Sequence, residues 1–156
     1  MADEGTGEGA GDLAAENDAL GLALEAEHAA VWGYGVVGAA LTAADRGTAT
    51  GAEAAHRDVR DSVLTLLSER SVEPPGAEGG YALPFPVLSP VDAAALAVVL
   101  EDGTAAAWVR VLDQAAERST RELAVEALTG AEVRAVGWRT AAGRPPTTAF
   151  PGLPPR

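Results

Sequence analysis

Chemistry in this chain rests on carboxylates and two histidines, because there is no cysteine to act as a thiolate nucleophile or metal ligand. Glu53 and His56 form Glu-x-x-His, a spacing that puts both side chains on one face of a helix about one turn apart. Glu27 lies on an apolar helical stripe, and Glu101 sits among Ala97, Ala105 and Trp108. Glu132 is followed three residues on by Ala135, where a second histidine would complete the pattern. Helical bundles hold two metal ions with one Glu from each of two helices and Glu-x-x-His from each of the other two. Glu27, Glu53, His56, Glu101 and Glu132 are therefore the candidate ligands, for iron or another divalent metal.

The competing reading of the same residues is structural. Glu53 is then the third residue of a capping box begun by Thr50, and Glu132 serves Thr129 in the same way if Gly130 breaks the helix. Glu27 and Glu101 become buried carboxylates paired with arginine, for which Arg57, Arg60 and Arg139 are candidates, since an unpaired buried charge is too costly. His28 is expected at the core boundary. No nucleophile and base pair stands out, because Ser62, Ser68, Ser71, Ser89 and Ser119 have no histidine near them in sequence. No catalytic residue is assigned.

Four helices must position these groups. Residues 13–44 are mostly Ala, Leu, Glu and Val, with Leu13, Leu20, Leu24, Val31 and Leu41 near one stripe. After the breaker "DRGTATG", the Thr50 and Glu53 box predicts a second helix to about residue 70, with Val59, Val63, Leu66 and Leu67 on its apolar side. Residues 71–90 carry five prolines and three glycines and cannot be regular helix. A third helix is predicted from 91 to 118, and a capping box of Ser119 and Glu122 opens a fourth to about 142. Two short connections and one long middle one define a ferritin-like four-helix bundle, all-α, with a single crossover between helices 2 and 3. The "YALPFPV" of that crossover would lie along the bundle as an apolar strap.

Heights along the bundle weigh on the metal reading. With helices 1 and 2 antiparallel about a turn near Gly47, Glu27 and His56 would differ in height by roughly 15 Å at 1.5 Å per residue. Metal ligands would not converge at that separation.

"VWGYGVVGAAL", residues 31–41, carries Gly33, Gly35 and Gly38 in the spacing of a dinucleotide-binding loop, with Asp58 about twenty residues beyond. That fingerprint needs a preceding strand, and "ALEAEHAAV" is built of helix formers, so nucleotide binding is excluded. The glycines read instead as the thin side of a helix. Each costs about 1 kcal/mol relative to alanine, an expense that close packing would offset, with His56 and Phe85 of the strap filling the space.

A net charge of -12 argues against a nucleic-acid partner. Asp3, Glu4, Glu8 and Asp12 lie among glycines in residues 1–12, which read as a disordered acidic tail ahead of a bundle spanning 13–142. Residues 143–156 form an extended tail whose Phe150 could pack on the bundle. No signal peptide or membrane span is recognised, so a cytoplasmic protein without a membrane partner is expected.

Taken together, "AEHAAVWGYGVVGA" (26–39), "AAHRDVRD" (54–61), "YALPFPV" (81–87), "LED" (100–102) and "AFPG" (149–152) resemble an uncharacterised bacterial ferritin-like family of unknown function. The resemblance covers nearly all of the chain after the acidic tail and implies a ferritin-like bundle without implying an activity. The expected protein is a non-enzymatic bundle with a degenerate metal site, requiring no cofactor and self-associating as a dimer through a helix face. The alternative is a di-iron or other metal-binding ferritin-like protein with oxidoreductase activity.

Overall fold

The computed structural model describes residues 5–153, with side chains from residue 11 onward. Four helices follow one another: α1 (Gly5–Ala40), α2 (Arg46–Glu69), α3 (Pro90–Gln114) and α4 (Arg118–Ala141). They form a four-helix bundle in which α1 packs on α2 and α3, and α3 packs on α4. By contrast α2 and α4 stand farther apart and meet through side chains such as His56 and Arg134, so the bundle is more open along that side. The first four residues of the acidic stretch lie outside the described residues, and those from Gly5 onward continue α1.

Helix boundaries differ from the sequence expectation where hydroxyl and carboxylate pairs looked like capping boxes. Thr50 is inside α2 and donates back to Arg46 O at 3.1 Å, while Glu53 accepts from Arg57 Nε at 3.1 Å. Ser119 is likewise inside α4, where Glu122 accepts from Arg118 Nε at 2.8 Å. Gly130 does not break α4, and Thr129 donates to Val125 O. Thr50 and Thr129 find the carbonyl four residues back because the helix has already begun upstream, which is the alternative open to any helical Ser or Thr. The cap that does form is at α3, in "SPVD". Ser89 Oγ accepts from Asp92 N at 3.2 Å, Pro90 occupies the first turn, and the Asp92 carboxylate accepts from Leu88 N and Ser89 Oγ.

α2 ends with Ser71 at φ 58°, followed by Val72 N donating to Leu67 O at 2.9 Å. That six-to-one bond closes the last turn and carries Val72 against the core. The crossover then runs back along α1: Pro75 O lies 3.2 Å from His28 Nε2, the rings of Trp32 and Tyr81 are 5.7 Å apart, and Phe85 and Val87 pack on the core beyond. The strap reading of "YALPFPV" thus holds. His28 is largely buried beneath it.

Polar residues divide the core into two parts. One apolar cluster gathers Tyr34, Val37 and Leu41 of α1 with Ala49 and Ala52 of α2, Leu96 and Val98 of α3, and Trp138 of α4. The other gathers Leu20, Leu24, Val63, Leu67, Trp108, Val111 and Ala124. Much of both is alanine, which lets helix axes approach closely. Glu27, His56, Glu101 and Thr104 are buried between the two clusters along their helices.

Candidate functional site

The buried polar layer is built by three helices from inside the bundle and one from its open side. Glu27 of α1 accepts from His56 Nδ1 of α2 at 2.6 Å and from Trp108 Nε1 of α3 at 2.7 Å. His56 Nε2 lies 3.3 Å from Glu101 Oε1 of α3. Tyr34 OH donates to that same oxygen, as does Arg134 Nε of α4 at 2.8 Å, and Arg134 Nη2 lies 3.4 Å from His56 Nε2. The Tyr34 and His56 rings stack with centroids 5.4 Å apart. Glu101 Oε2 is buried with no hydrogen-bond partner among the described residues.

The meeting of Glu27 and His56 overturns the expected height mismatch. The turn between α1 and α2 is centred near Ala43 rather than Gly47, because α1 stops at Ala40 and α2 already begins at Arg46. About that midpoint Glu27 and His56 are offset by only about three residues, or about 4.5 Å, which their side chains bridge. Moving the turn by four residues shifts two antiparallel helices by about 12 Å against each other. Most of the expected mismatch came from the misplaced turn.

Electrostatics follow from burial and pairing. Desolvation works most strongly against charge on His56, yet its hydrogen bonds to Glu101 and Glu27 and their negative charges hold its pKa above the ordinary histidine value. For Glu101 burial raises the pKa, while His56 and Arg134 lower it more, leaving the carboxyl below its usual range. Burial, reinforced by the charge of Glu101, pushes the Tyr34 phenol well up, so it remains a donor. Two carboxylates therefore face an imidazole that donates through both nitrogens when protonated, and a guanidinium.

Of the five sequence candidates, Glu27, His56 and Glu101 come together and two do not. Glu53 is on the outer part of α2 with Arg57, and Glu132 accepts from Arg139 Nη1 at 3.0 Å. Arg139 also donates to Asp102 Oδ1 at 2.6 Å and reaches Pro146 O, tying α4 to α3 and to the C-terminal tail. The arginines expected to balance Glu27 and Glu101 are not the ones used: Arg57 pairs with Glu53, Arg60 with Asp61 and Arg139 with Asp102 and Glu132. Arg134 was missed, as were Tyr34 and Trp108 as members. The signal for Arg134 was its place one residue before Ala135, within a turn of the level of Glu101 across the short connection between α3 and α4.

The glycines are filled differently from the expectation. A Cβ on Gly33 would meet Leu100 Cδ1 of α3 at 2.7 Å, and one on Gly38 would lie 3.8 Å from the Ala49 Cβ. Gly35 faces open space. Leu100 and Ala49, not His56 and Phe85, occupy the thin side of α1, because His56 is drawn inward to Glu27.

A second buried polar group closes the far end of the bundle. Glu16 of α1 accepts from Thr120 Oγ1 at 2.5 Å, Arg70 Nη2 at 2.6 Å and Glu117 N at 2.8 Å. Burial opposes its ionisation, and these donors overcome that opposition to hold its pKa low.

Among the described residues no group of three or more His, Cys, Asp or Glu is arranged to hold a metal ion, and no helix is long and apolar enough to cross a membrane. Comparison with curated proteins finds no match. Among solved structures, the chain is similar to a conserved hypothetical protein, rv2844, from Mycobacterium tuberculosis. The two are 41% identical, the match covers 81% of this chain and 96% of that one, and the TM-score is 0.79. Residues 19–155 match the family described as Domain of unknown function (DUF4439). With nearly the whole bundle matched to that family, and a fold shared with a protein 41% identical, the chain belongs to DUF4439.

Proposed function

We propose that this protein is a non-enzymatic, ferritin-like bundle in which a charge-balanced polar layer stands where a metal centre would be, and that it works by assembling with a second copy. The observation that carries the reading is Arg134. Its guanidinium donates to Glu101 Oε1 and lies against His56 Nε2, so a protein cation already occupies the electrostatic position of a metal. His56 offers no free lone pair while Glu27 and Glu101 engage both its nitrogens. The remaining uncommitted donor is Glu101 Oε2, and a single carboxylate oxygen does not make a site. A resident divalent metal does not fit these residues.

Self-association is supported by the outer side of α4, where Val125, Val133 and Val136 are exposed at helical spacing beside a groove of about 450 Å³ formed with Thr147 and Pro151 of the tail. A bacterial, cytoplasmic setting belongs to the same proposal, supported by the acidic charge and the Mycobacterium relative.

The test is metal analysis of protein purified without an affinity tag, followed by iron titration. No binding at saturating iron is expected. Stoichiometric metal that is lost in a folded Glu101→Ala variant would overturn the reading and establish the metal-dependent alternative. Sedimentation reads the assembly: a dimer is expected, and a clean monomer at high concentration would end that part of the proposal.

A further inference from the structure

The open side between α2 and α4 contains a cavity of about 630 Å³. It is walled by the first turns of α2 (Thr48, Gly51), the start of α3 (Val91, Ala94) and the last turns of α4 (Gly137, Trp138). Small-molecule sites are concave, mostly apolar hollows of about 300 to 1,000 Å³ with a few polar groups. This cavity has that character, with Arg134 as its cation and Asp45 as its carboxylate. Arg134 also lines a smaller hollow of about 300 Å³ elsewhere between α2 and α4, so its guanidinium is shared by both spaces.

Charge decides what such a cavity can take. The charged side chains lining the cavity are Arg134, whose guanidinium is already directed at Glu101 and His56, and the exposed Asp45. An anion held there would meet no uncommitted cation on the wall and would be repelled by Asp45, and a cation would find only that exposed carboxylate. Arg134 Nη1 lies beside Gly130, 3.2 Å from where a Cβ there would stand, on the wall of the smaller hollow, while Nε and Nη2 are directed at Glu101 and His56.

We propose that this cavity binds an uncharged, largely apolar small molecule. The proposal goes beyond the assembly reading and is independent of metal, since its test uses chelator-treated protein.

Two positions permit a clean experiment. Gly51 and Gly137 lie on opposite walls, and a Cβ at either meets nothing within 4 Å. Leucine there enters the cavity rather than the packed core, and it relieves the helix of a glycine, which favours folding. Nile red, uncharged and largely apolar, is titrated into the full chain and followed by its own emission and by tryptophan quenching. Saturable binding of one probe per chain is expected. Gly51→Leu and Gly137→Leu should each weaken it by at least about tenfold with an unchanged or higher melting temperature. The anionic dye 8-anilinonaphthalene-1-sulfonate should bind at least about tenfold more weakly than Nile red. Absence of saturable binding, indifference to both leucine variants, or equal affinity for the anionic dye would each overturn the proposal.

Discussion

Glu27 Oε2 and His56 Nδ1 lie 2.6 Å apart in the middle of the bundle, joining α1 to α2 at the level where the apolar core is interrupted. The bond sets the register of the first hairpin, since sliding either helix by one residue moves its side chain about 1.5 Å along the axis and 100° around it. Buried ionic groups of this kind contribute more to specificity than to stability when intact. Their removal one partner at a time is another matter.

Loss of Arg134 should be costly. Arg134→Leu keeps the aliphatic stem but leaves Glu101 buried with one cation fewer and a second oxygen already unpartnered. The expected loss is about 3 kcal/mol in urea unfolding. A change below about 0.5 kcal/mol, the size of an ordinary surface substitution, would show that the pair does not hold the layer together.

The layer also predicts a pH profile. His56 binds its proton more tightly folded than unfolded, so its contribution is complete below the ordinary value of 6.5 and fades as pH rises through the elevated folded value. Glu101 is depressed, so its contribution is complete above the ordinary 4.5 and fades as pH falls through the lowered value. Stability from the two together is greatest between those limits. Melting temperature should decline on the alkaline side, and His56→Gln should flatten that decline. A wild-type profile that rises from pH 6 to 9 would contradict the assignment.

The glycines of α1 should separate by position. Gly35→Ala adds a methyl to open space and should stabilise by about 0.5 to 1 kcal/mol. At Gly33 the same methyl collides with the tip of Leu100, cancelling that gain. In a Leu100→Ala background the Gly33→Ala penalty should disappear, and a thermal melt of the double-mutant cycle reads this coupling directly. Additive effects would mean that Leu100 does not fill the gap.

Gly152 gives a fourth test. It has φ 74°, and a Cβ there would lie 2.5 Å from Val109 Cγ2 and 2.7 Å from Ala105 O, so the "AFPG" turn sits directly on α3. Gly152→Ala faces both a disfavoured backbone conformation and a collision with backbone. Limited proteolysis should cut the tail of this variant much faster while the four helices stay resistant. Equal cutting rates would show that the tail is not held by this contact.

Composition and periodicity in the sequence determined the helix count, the crossover and its strap, because prolines and apolar stripes act locally and survive any tertiary context. Residue type likewise singled out Glu27, His56 and Glu101, since burying a carboxylate on an apolar stripe demands a partner. Which partner was a tertiary matter. A four-residue error in one turn is doubled between antiparallel helices, enough to separate Glu27 from His56 on paper although they touch in the fold. Capping was similarly undecided, because Thr50 and Ser119 have the same side-chain options inside a helix as at its start. Arg134 answers Glu101 across a hairpin, and Leu100 answers Gly33 across two helices. Those pairings depend on axial level and rotation, which emerge only when all four helices pack.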